Sequence, residues 1–333
     1  MIRVDVDVPG RTYPVLVGAG TRHELASVLP NGVRRVAVIT QQGIPVDVDP
    51  GVDHQRFLIG NGEPHKTMAT IEGLCSELAA AGFTRADCVV AVGGGMVTDV
   101  AGFTASVFHR GIPVVHVATT LLAQIDAAIG GKTGVNLAHG KNLVGTYWQP
   151  AAVLCDIDTL TTLPPRELRC GFGELAKYHW LGGGRLDDLP LDEQVAACAR
   201  IKADVVASDE RESGRRAILN YGHTLAHAIE TAGGYDLRHG EAVAIGLVYA
   251  AELAHRLGRI DAAAVAEHRR VVARYDLPST IPPGLADAEL VELFARDKKA
   301  TREITFVLDG PRGVEPVTGI ETSVLLDALA ALR

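Results

Sequence analysis

The sequence is poor in aromatic residues, which make up 5% of its 333 residues, and rich in small and branched apolar ones. This composition favours buried parallel strands and closely packed helices over a β-sandwich. The five cysteines are odd in number, scattered, and without a CxxC spacing. We therefore expect neither a disulfide framework nor a cysteine-based zinc site, and a reducing cytoplasm is the compartment that fits.

Long apolar runs and an excess of positive charge are also missing. No apolar run reaches the ~18 residues that predict a membrane-spanning helix. The N-terminal residues, MIRVDVD, alternate like a strand and do not form a signal peptide. The net charge is −8, so we expect neither a nucleic-acid partner nor a membrane partner. An anionic substrate would need a local cluster of basic groups.

The first half of the chain alternates apolar strands with amphipathic helices. Residues 35–40, 88–92 and 114–118 are predicted as buried strands, and residues 70–82 as a helix that ends at a glycine. This order is typical of a parallel nucleotide-binding sheet. We therefore predict an α/β domain over residues 1–157.

The second half, residues 158–333, is predicted to be a mostly α-helical domain. The dipeptide Pro164-Pro165 indicates a helix start, and Asp309-Gly310 indicates a late strand pair. Further helices are predicted around residues 193–210, 213–232, 239–257, 261–275 and 287–297. The cleft between two domains is a natural place for a site.

A glycine-rich turn, Gly93-Gly94-Gly95, lies between the strand 88–92 and a predicted helix over residues 97–107. Glycines in such a turn let a pyrophosphate approach the backbone, and the helix N-terminus supplies N–H groups. The spacing is not GxGxxG, so the ordinary dinucleotide fingerprint is absent. A plain tight turn is the alternative interpretation.

Three histidines and a carboxylate indicate a possible metal site. His223 and His227 are four residues apart on one predicted helix, His239 opens the next helix, and Glu174 lies three residues before Lys177. A Glu/His/His set leaves a coordination position open, as catalytic zinc sites do. The HxxxH pair is a second possibility, and helix-capping or core histidines are a third.

Several basic residues stand beside glycines or apolar residues, where they could contact an anion, although solvated surface charge is the alternative for each. They are Arg110, Lys132, Lys141, Lys202, Arg216, Lys298 and Lys299. Lys132 and the pair Lys141-Asn142 follow glycines and are predicted to lie in loops. Gly131-Lys132-Thr133 is not a P-loop, because no glycine stands five residues before Gly131, so an ATPase is not expected. His255 and His268 are expected at the surface, without a role.

Taken together, these motifs resemble the 3-dehydroquinate synthase family over nearly the whole chain. The matching segments are GGG (93–95) with Asp99, TTLLAQID (119–126), GGKTGVN (130–136), GKN (140–142), TLP (162–164), Glu174 with Lys177-Tyr178, NYGHT (220–224), HGEA (239–242) and DKK (297–299). The resemblance implies an NAD-binding α/β domain, a helical metal-binding domain, a small phosphorylated acid as substrate, and a homodimer.

The resemblance also implies a role for individual residues. Glu174, His223 and His239 match the metal ligands, for zinc or cobalt, and Arg110 matches a phosphate-binding arginine that can come from the other subunit. Residues that match NAD contacts are Glu63, Lys66, Gly94, Gly95, Asp99, Thr119, Thr120, Asp126, Lys132, Lys141, Asn142 and Thr162. Residues that match substrate contacts are Asp126, Lys132, Asn142, Lys177, Lys202, Arg216, Asn220, His227, Lys298 and Lys299.

The implied reaction is a phosphate elimination that ends in a carbocycle. In the family, a hydroxyl of a seven-carbon acid phosphate is transiently oxidised with NAD⁺, which acidifies the neighbouring C–H, and phosphate leaves. Reduction, ring opening and an aldol step follow. A metal suits the alkoxide and carbonyl as a Lewis acid, and fixed cations suit the phosphate. NAD is not consumed, so the enzyme is a lyase.

Three features depart from the family pattern. Thr40-Gln41-Gln42 stands where an acidic residue for the cofactor ribose is common, residues 182–192 are short, and the chain is short overall. The segments 147–156 and 306–313 resemble aminodehydroquinate synthases, which use an amino analogue of the substrate to build 3-amino-5-hydroxybenzoate for ansamycin antibiotics. Lys177-Tyr178 keeps the ordinary pattern. The complete substrate set favours 3-deoxy-D-arabino-heptulosonate 7-phosphate as substrate, with the amino analogue nearly level.

Rival functions fit less well. Cyclases for valiolone- or inosose-type sugars differ around residues 132–142. Metal-dependent alcohol dehydrogenases share the architecture, but they release NADH and use a ligand set of one aspartate and several histidines. A non-catalytic scaffold would predict losses among the polar site residues, and none is missing.

Overall fold

The computed structural model describes residues 1–233, 236–296 and 304–333. The chain divides into two units. The first unit consists of Met1–Pro164 and Pro190–Arg211, and the second of Pro165–Leu189 and Glu212–Arg333. The predicted single boundary after residue 157 differs from this division, because the helix that follows Pro190 packs against the N-terminal strand pair. The helix therefore belongs to the first unit.

The secondary structure of the described residues alternates in the first unit and is mainly helical in the second. The strands are β1 (Ile2–Val8), β2 (Arg11–Gly18), β3 (Arg35–Gln41), β4 (Asp53–Ile59), β5 (Cys88–Gly93), β6 (Val114–Ala118), β7 (Lys132–Leu137), β8 (Gly140–Tyr147), β9 (Ala152–Asp156), β10 (Phe306–Leu308) and β11 (Glu315–Val317). The α-helices are α1 (Leu25–Val28), α2 (Met68–Ala80), α3 (Gly95–Val107), α4 (Pro165–Tyr178), α5 (Leu191–Ser208), α6 (His223–Ala232), α7 (His239–Arg256), α8 (Ala262–Arg274), α9 (Asp287–Arg296) and α10 (Thr322–Ala330). No helix among these residues is long and apolar enough to cross a bilayer.

A seven-stranded sheet forms the centre of the first unit, in the order β1-β2-β9-β6-β5-β3-β4. Only β1 runs antiparallel to its neighbour, β2, whereas the other neighbouring strands are parallel. Every residue of β5, β6 and β9 is buried, which explains their unbroken apolar sequences. The predicted α/β fold with a parallel sheet is confirmed.

Lys132, Lys141 and Asn142 lie in a β-hairpin and not in the loops that we predicted from the glycines around them. Strands β7 and β8 pair antiparallel, with Gly134 opposite Gly145. A Cβ atom at Gly145 would overlap the carbonyl group of Thr133. The hairpin therefore needs the glycines that made its strands look like loops.

Helix α7 is the centre of the second unit. It is buried over most of its length and packs against α4, α6, α8 and α10. The single helix predicted over residues 213–232 is wrong, because a 3-10 helix over Arg215–Asn220 ends before α6 begins at His223. Gly222 separates the two helices. Its φ of 81° lies in the left-handed region that favours glycine.

His268 is fully buried, so its predicted place at the surface is wrong, whereas His255 is exposed. The His268 ring stacks on Trp180 at 3.7 Å between centroids. Its Nδ1–H donates to the carbonyl of Ala264 (2.8 Å), and its Nε2 accepts from the hydroxyl of Tyr221 (2.7 Å). Burial lowers the pKa of His268 to about 4. We predicted an exposed His268 because its neighbours in sequence are charged.

The buried, neutral His268 predicts a loss of stability in acid. In the unfolded chain its pKa is about 6.5, so between pH 6.5 and 4 the unfolded state binds more protons and stability falls as the pH falls. The loss from this one group is about 3 kcal/mol at pH 4. Denaturant unfolding, followed by Trp180 fluorescence in a Trp148→Phe background, measures it.

The variant His268→Gln, in the same background, should show a shallower dependence on pH over this range. A residual slope is expected, because burial also lowers the pKa values of His116 and His179 to about 4. Identical slopes with and without the His268 imidazole would contradict its buried, neutral state.

Candidate active site

Three side chains from three helices of the second unit converge. Glu174 lies in α4, and His223 and His239 are the first residues of α6 and α7. The Nε2 atoms of His239 and His223 lie 2.9 Å and 3.1 Å from the same oxygen, Oε1 of Glu174. One ligand atom from each residue lies within 4.8 Å of the others. Two imidazoles and one carboxylate are the donors of an open catalytic zinc-type site.

Glycines next to these side chains let the three helices approach. A Cβ atom at Gly173 would overlap the backbone of Gly240, and one at Gly240 would overlap the carbonyl group of Cys170, so α4 and α7 touch through their backbones. In the same way, a Cβ atom at Gly246 of α7 would overlap the carbonyl group of Gly222 beside α6. Each of the three residues therefore follows a glycine or begins a helix that contains one at the contact.

The carboxylate of Glu174 is buried together with a lysine. Both side chains are 1% exposed, and Lys177 Nζ lies 2.5 Å from Glu174 Oε2. Burial opposes ionisation of Glu174, but the Lys177 ammonium and His223 outweigh it and hold the pKa of Glu174 well below its usual range. The cluster thus keeps an anionic carboxylate at neutral pH.

A proton on His239 stands in for a cation in this cluster. Burial lowers the pKa of His239, but hydrogen bonds to Glu174 and Glu230 outweigh it and raise the pKa to about 10. A divalent ion would displace this proton and leave a neutral imidazole donor. His223 is already oriented for this, because its Nδ1 lies 3.2 Å from the carbonyl oxygen of Tyr221, which directs Nε2 toward Glu174.

The remaining predicted substrate residues of the second unit differ in their exposure and in their contacts. His227 is exposed, with its ring centroid 5.4 Å from that of His223. Arg216 is 1% exposed on the 3-10 helix. Asn220 Nδ2 donates to Glu212 Oε1 (3.3 Å), a carboxylate that the sequence motifs did not point to. The predicted residues Lys298 and Lys299 lie outside the described part of the chain.

In the first unit, four predicted cofactor residues form one hydrogen-bonded group. Lys66 is 5% exposed, and its Nζ lies 2.5 Å from both Asp99 Oδ2 and Asn142 Oδ1. Burial raises the pKa of Asp99 to about 6, against the opposing effect of Lys66. Asn136 joins Glu63 to this group, because its Nδ2 donates to Glu63 Oε1 and its Oδ1 accepts from the Asn142 backbone N–H. Asn136 belongs to a matched motif, but we did not predict it as a site residue.

The glycine turn lies beside the end of β6, where the threonine pair begins. The backbone N–H of Thr119 donates to the carbonyl of Gly93 (3.0 Å). A Cβ atom at Gly94 would lie 2.8 Å from Thr120 Cγ2. Helix α3 begins at Gly95, and the first N–H groups of a helix have no partner within the helix itself. The structure thus brings together the turn and the threonines that we predicted as cofactor contacts.

Lys202 and Asp126 form a second buried pair in the first unit. The ammonium group of Lys202, which is 4% exposed, contacts the carboxylate and the backbone carbonyl of Asp126. Buried lysines are rare without a partner or a function.

The hydroxyl of Thr162, another predicted cofactor contact, donates to the Thr159 carbonyl (2.7 Å) within its own 3-10 helix.

The other predicted contacts of the first unit are at its surface. Lys132, Lys141 and Arg110 are exposed, and Arg110 has a φ of 65°. At the end of β3, Gln41 Nε2 donates to the carbonyl of Gly60 (3.0 Å). Gln41 therefore makes a backbone contact at the position where we noted the missing acidic residue.

The close approach of α4 and α7 predicts that Gly240→Ala weakens metal binding. The added methyl group must move the Cys170 backbone, so we expect a loss of about 3 kcal/mol in stability and a measurable loss of zinc affinity. Gly73→Ala in α2 is the matched control, because no atom lies within 4 Å of the added Cβ. It should be neutral or slightly stabilising. Calorimetry and zinc titration test both, and an unchanged Gly240→Ala variant would contradict the packing.

Comparison with known proteins gives the family. Family models described as 3-dehydroquinate synthase N-terminal and 3-dehydroquinate synthase C-terminal match residues 56–170 and 172–300. A putative aminodehydroquinate synthase of Amycolatopsis mediterranei (strain S699) is 50% identical over 329 residues, covering 98% of this chain and 93% of the relative. A 3-dehydroquinate synthase of Nitrobacter hamburgensis (strain DSM 10229 / NCIMB 13809 / X14) is 41% identical over 367 residues, covering 99% and 95%.

Among solved structures, a 2-deoxy-scyllo-inosose synthase complexed with carbaglucose-6-phosphate, NAD⁺ and Co²⁺ is similar over the full length of both chains. Its TM-score is 0.88 and its sequence identity 26%. Together the two family matches cover most of the chain, in the order that the sequence motifs predicted. This chain belongs to the 3-dehydroquinate synthase family of sugar phosphate cyclases.

Proposed function

We propose that this enzyme eliminates phosphate from a seven-carbon heptulosonate 7-phosphate, in its hydroxy or amino form, and closes the carbocycle of a dehydroquinate or an aminodehydroquinate. The observation that carries the proposal is the convergence of Glu174, His223 and His239 beside the buried Lys177. A divalent metal, zinc or cobalt, would bind these three residues and supply a Lewis acid for a hydroxyl or carbonyl group. Residues of the first unit would hold NAD, which would supply reversible hydride transfer.

The residues of the chain supply binding, orientation and fixed charge for this reaction. The ammonium group of Lys177 neutralises Glu174 on the side away from the histidines and keeps the carboxylate ionised. Arg216 and Lys202 are buried cations that suit a carboxylate or phosphate of the substrate. His227, exposed next to His223, can hold or deliver a proton at a substrate oxygen.

The cofactor role of the first unit is supported by its geometry. Lys66, Asp99 and Glu63 are locked into one polar group, and the N-terminus of α3 follows the glycine turn. Such a helix N-terminus suits a pyrophosphate. The related 2-deoxy-scyllo-inosose synthase was crystallised with NAD⁺ and Co²⁺, which supports the same two cofactors for this chain.

For the substrate, we now place the amino analogue first and 3-deoxy-D-arabino-heptulosonate 7-phosphate second. Identity is 50% with the putative aminodehydroquinate synthase and 41% with the Nitrobacter enzyme. The alignment with the Nitrobacter enzyme spans 367 positions, more than the 333 residues of this chain, whereas the former spans 329. The aligned part of the relative named for the amino substrate is therefore close to this chain in length.

The hydroxy substrate, 3-deoxy-D-arabino-heptulosonate 7-phosphate, is the second candidate because the residues that match substrate contacts are retained. Lys177, Lys202, Arg216 and Asn220 are all present, and the Lys177-Tyr178 pair has the ordinary synthase form.

We also infer a homodimer in a reducing cytoplasm. The five free cysteines, four of them buried, support that compartment.

An assay with both substrates tests the reaction and the specificity. Purified protein with NAD⁺ and Zn²⁺ or Co²⁺ should release phosphate without accumulating NADH, because the hydride is returned in each turnover. We expect kcat/KM for the amino analogue to exceed that for the hydroxy compound at least tenfold. The reverse ratio would assign the enzyme to 3-dehydroquinate formation, and steady NADH production would contradict the cyclase reaction itself.

Replacing Glu174 tests the metal ligands. Glu174→Gln keeps the side-chain size and an oxygen acceptor for the Lys177 ammonium, but it removes the anionic ligand, so dialysed protein should fall from about one bound metal ion to almost none. Glu252→Gln on α7, whose carboxylate pairs with Arg256 and Arg269, is the control and should keep its metal. Elemental analysis counts the metal. Full metal retention and activity in Glu174→Gln would refute the ligand assignment.

A further inference from the structure

Helix α6 carries a third polar side chain on the face of its two histidines. His223, His227 and Glu230 are spaced at i, i+4 and i+7, which places them along one side of the helix. Glu230 Oε2 lies 3.3 Å from Nδ1 of His239, on the neighbouring helix α7. The Glu230 side chain is 19% exposed, so water screens this contact only in part.

The imidazole of His239 is therefore held at both nitrogens. Its Nε2 lies 2.9 Å from Glu174 Oε1, and its Nδ1 faces Glu230. A neutral imidazole has a single N–H group. If that N–H is on Nδ1 and donates to Glu230, the lone pair of Nε2 is directed toward Glu174, where a cation would bind.

The two histidine ligands differ in the group that holds Nδ1. His223 faces the backbone carbonyl oxygen of Tyr221, at 3.2 Å, whereas His239 faces a carboxylate. A carboxylate accepts a stronger hydrogen bond and makes the imidazole a better donor to a metal. Glu230 is not part of the ligand set itself, because the group of close donor atoms contains only Glu174, His223 and His239 among the described residues.

We propose that Glu230 is a positioning residue that fixes the tautomer and ring orientation of His239 and so increases the affinity of the site for a divalent cation. The inference rests on the metal site of the proposed function, but on neither the substrate nor the reaction. Partners of this kind typically change metal affinity by about 10–100-fold when they are removed.

The test compares zinc affinity in three variants of the full chain, by competition with a chromophoric chelator and without substrate. Glu230→Ala should bind zinc about 10–100-fold more weakly. Glu230→Gln should lose less, because an amide oxygen still accepts the Nδ1–H. Glu252→Ala, which removes another partly buried carboxylate of the second unit, should lower thermal stability and leave zinc affinity unchanged.

The visible spectrum of the Co²⁺-loaded protein gives a second readout, because a rotated His239 changes the ligand field even when affinity is high. The spectrum should shift in Glu230→Ala and return toward the wild type in Glu230→Gln. Zinc affinity of Glu230→Ala within twofold of the wild type would overturn the inference, and so would equal losses in the alanine and glutamine variants. A wild-type chain that binds no zinc would instead overturn the metal site of the proposed function.

Discussion

The second unit depends on one buried carboxylate oxygen that two imidazole nitrogens approach. Oε1 of Glu174 lies within 3.1 Å of Nε2 of both His223 and His239. An ionised carboxylate at 1% exposure is stable only if nearby charges compensate it, and Lys177 supplies one of these charges directly. A proton on His239 or a metal ion can add a further positive charge at Oε1, on which the two imidazole nitrogens converge. A site of this composition is therefore built to be completed by a cation.

The helices of the second unit pack closely enough for the three side chains to converge. Three ligand atoms can lie close together only if α4, α6 and α7 approach more closely than ordinary side chains allow. Gly173 with Gly240, and Gly222 with Gly246, make these contacts through the backbone. Arg166 adds to the arrangement at the start of α7, where it binds the carboxylate of Glu241 with two hydrogen bonds. Glu241 in turn accepts from the backbone N–H of Arg238, next to His239.

The sequence predicted the buried strands and the helix after the glycine turn well, because their apolar patterns depend on neighbours in the chain. Spacing alone left three interpretations of the histidines, and only the family resemblance selected Glu174 with His223 and His239. The β7–β8 hairpin could not be predicted, because its glycines serve the close approach of two strands. The burial of His268 was also missed, since its partners Trp180 and Tyr221 come from distant segments.

Two further features depend on long-range contacts that no local pattern contains. Helix α5 follows the first residues of the second unit in sequence, yet it packs on β1 and brings Lys202 to Asp126. Asn136 links Glu63 to Asn142 across the hairpin, although its sequence context gives no sign of either partner. In both cases the position of a polar residue was visible in the sequence, and the residue that it would meet was not.

Crystals grown with zinc, measured on both sides of the zinc absorption edge, would examine the convergence of the three helices directly. An anomalous peak is expected about 2.0–2.2 Å from the carboxylate of Glu174 and from Nε2 of both His223 and His239. A zinc ion bound elsewhere, with these three side chains turned away from one another, would contradict it.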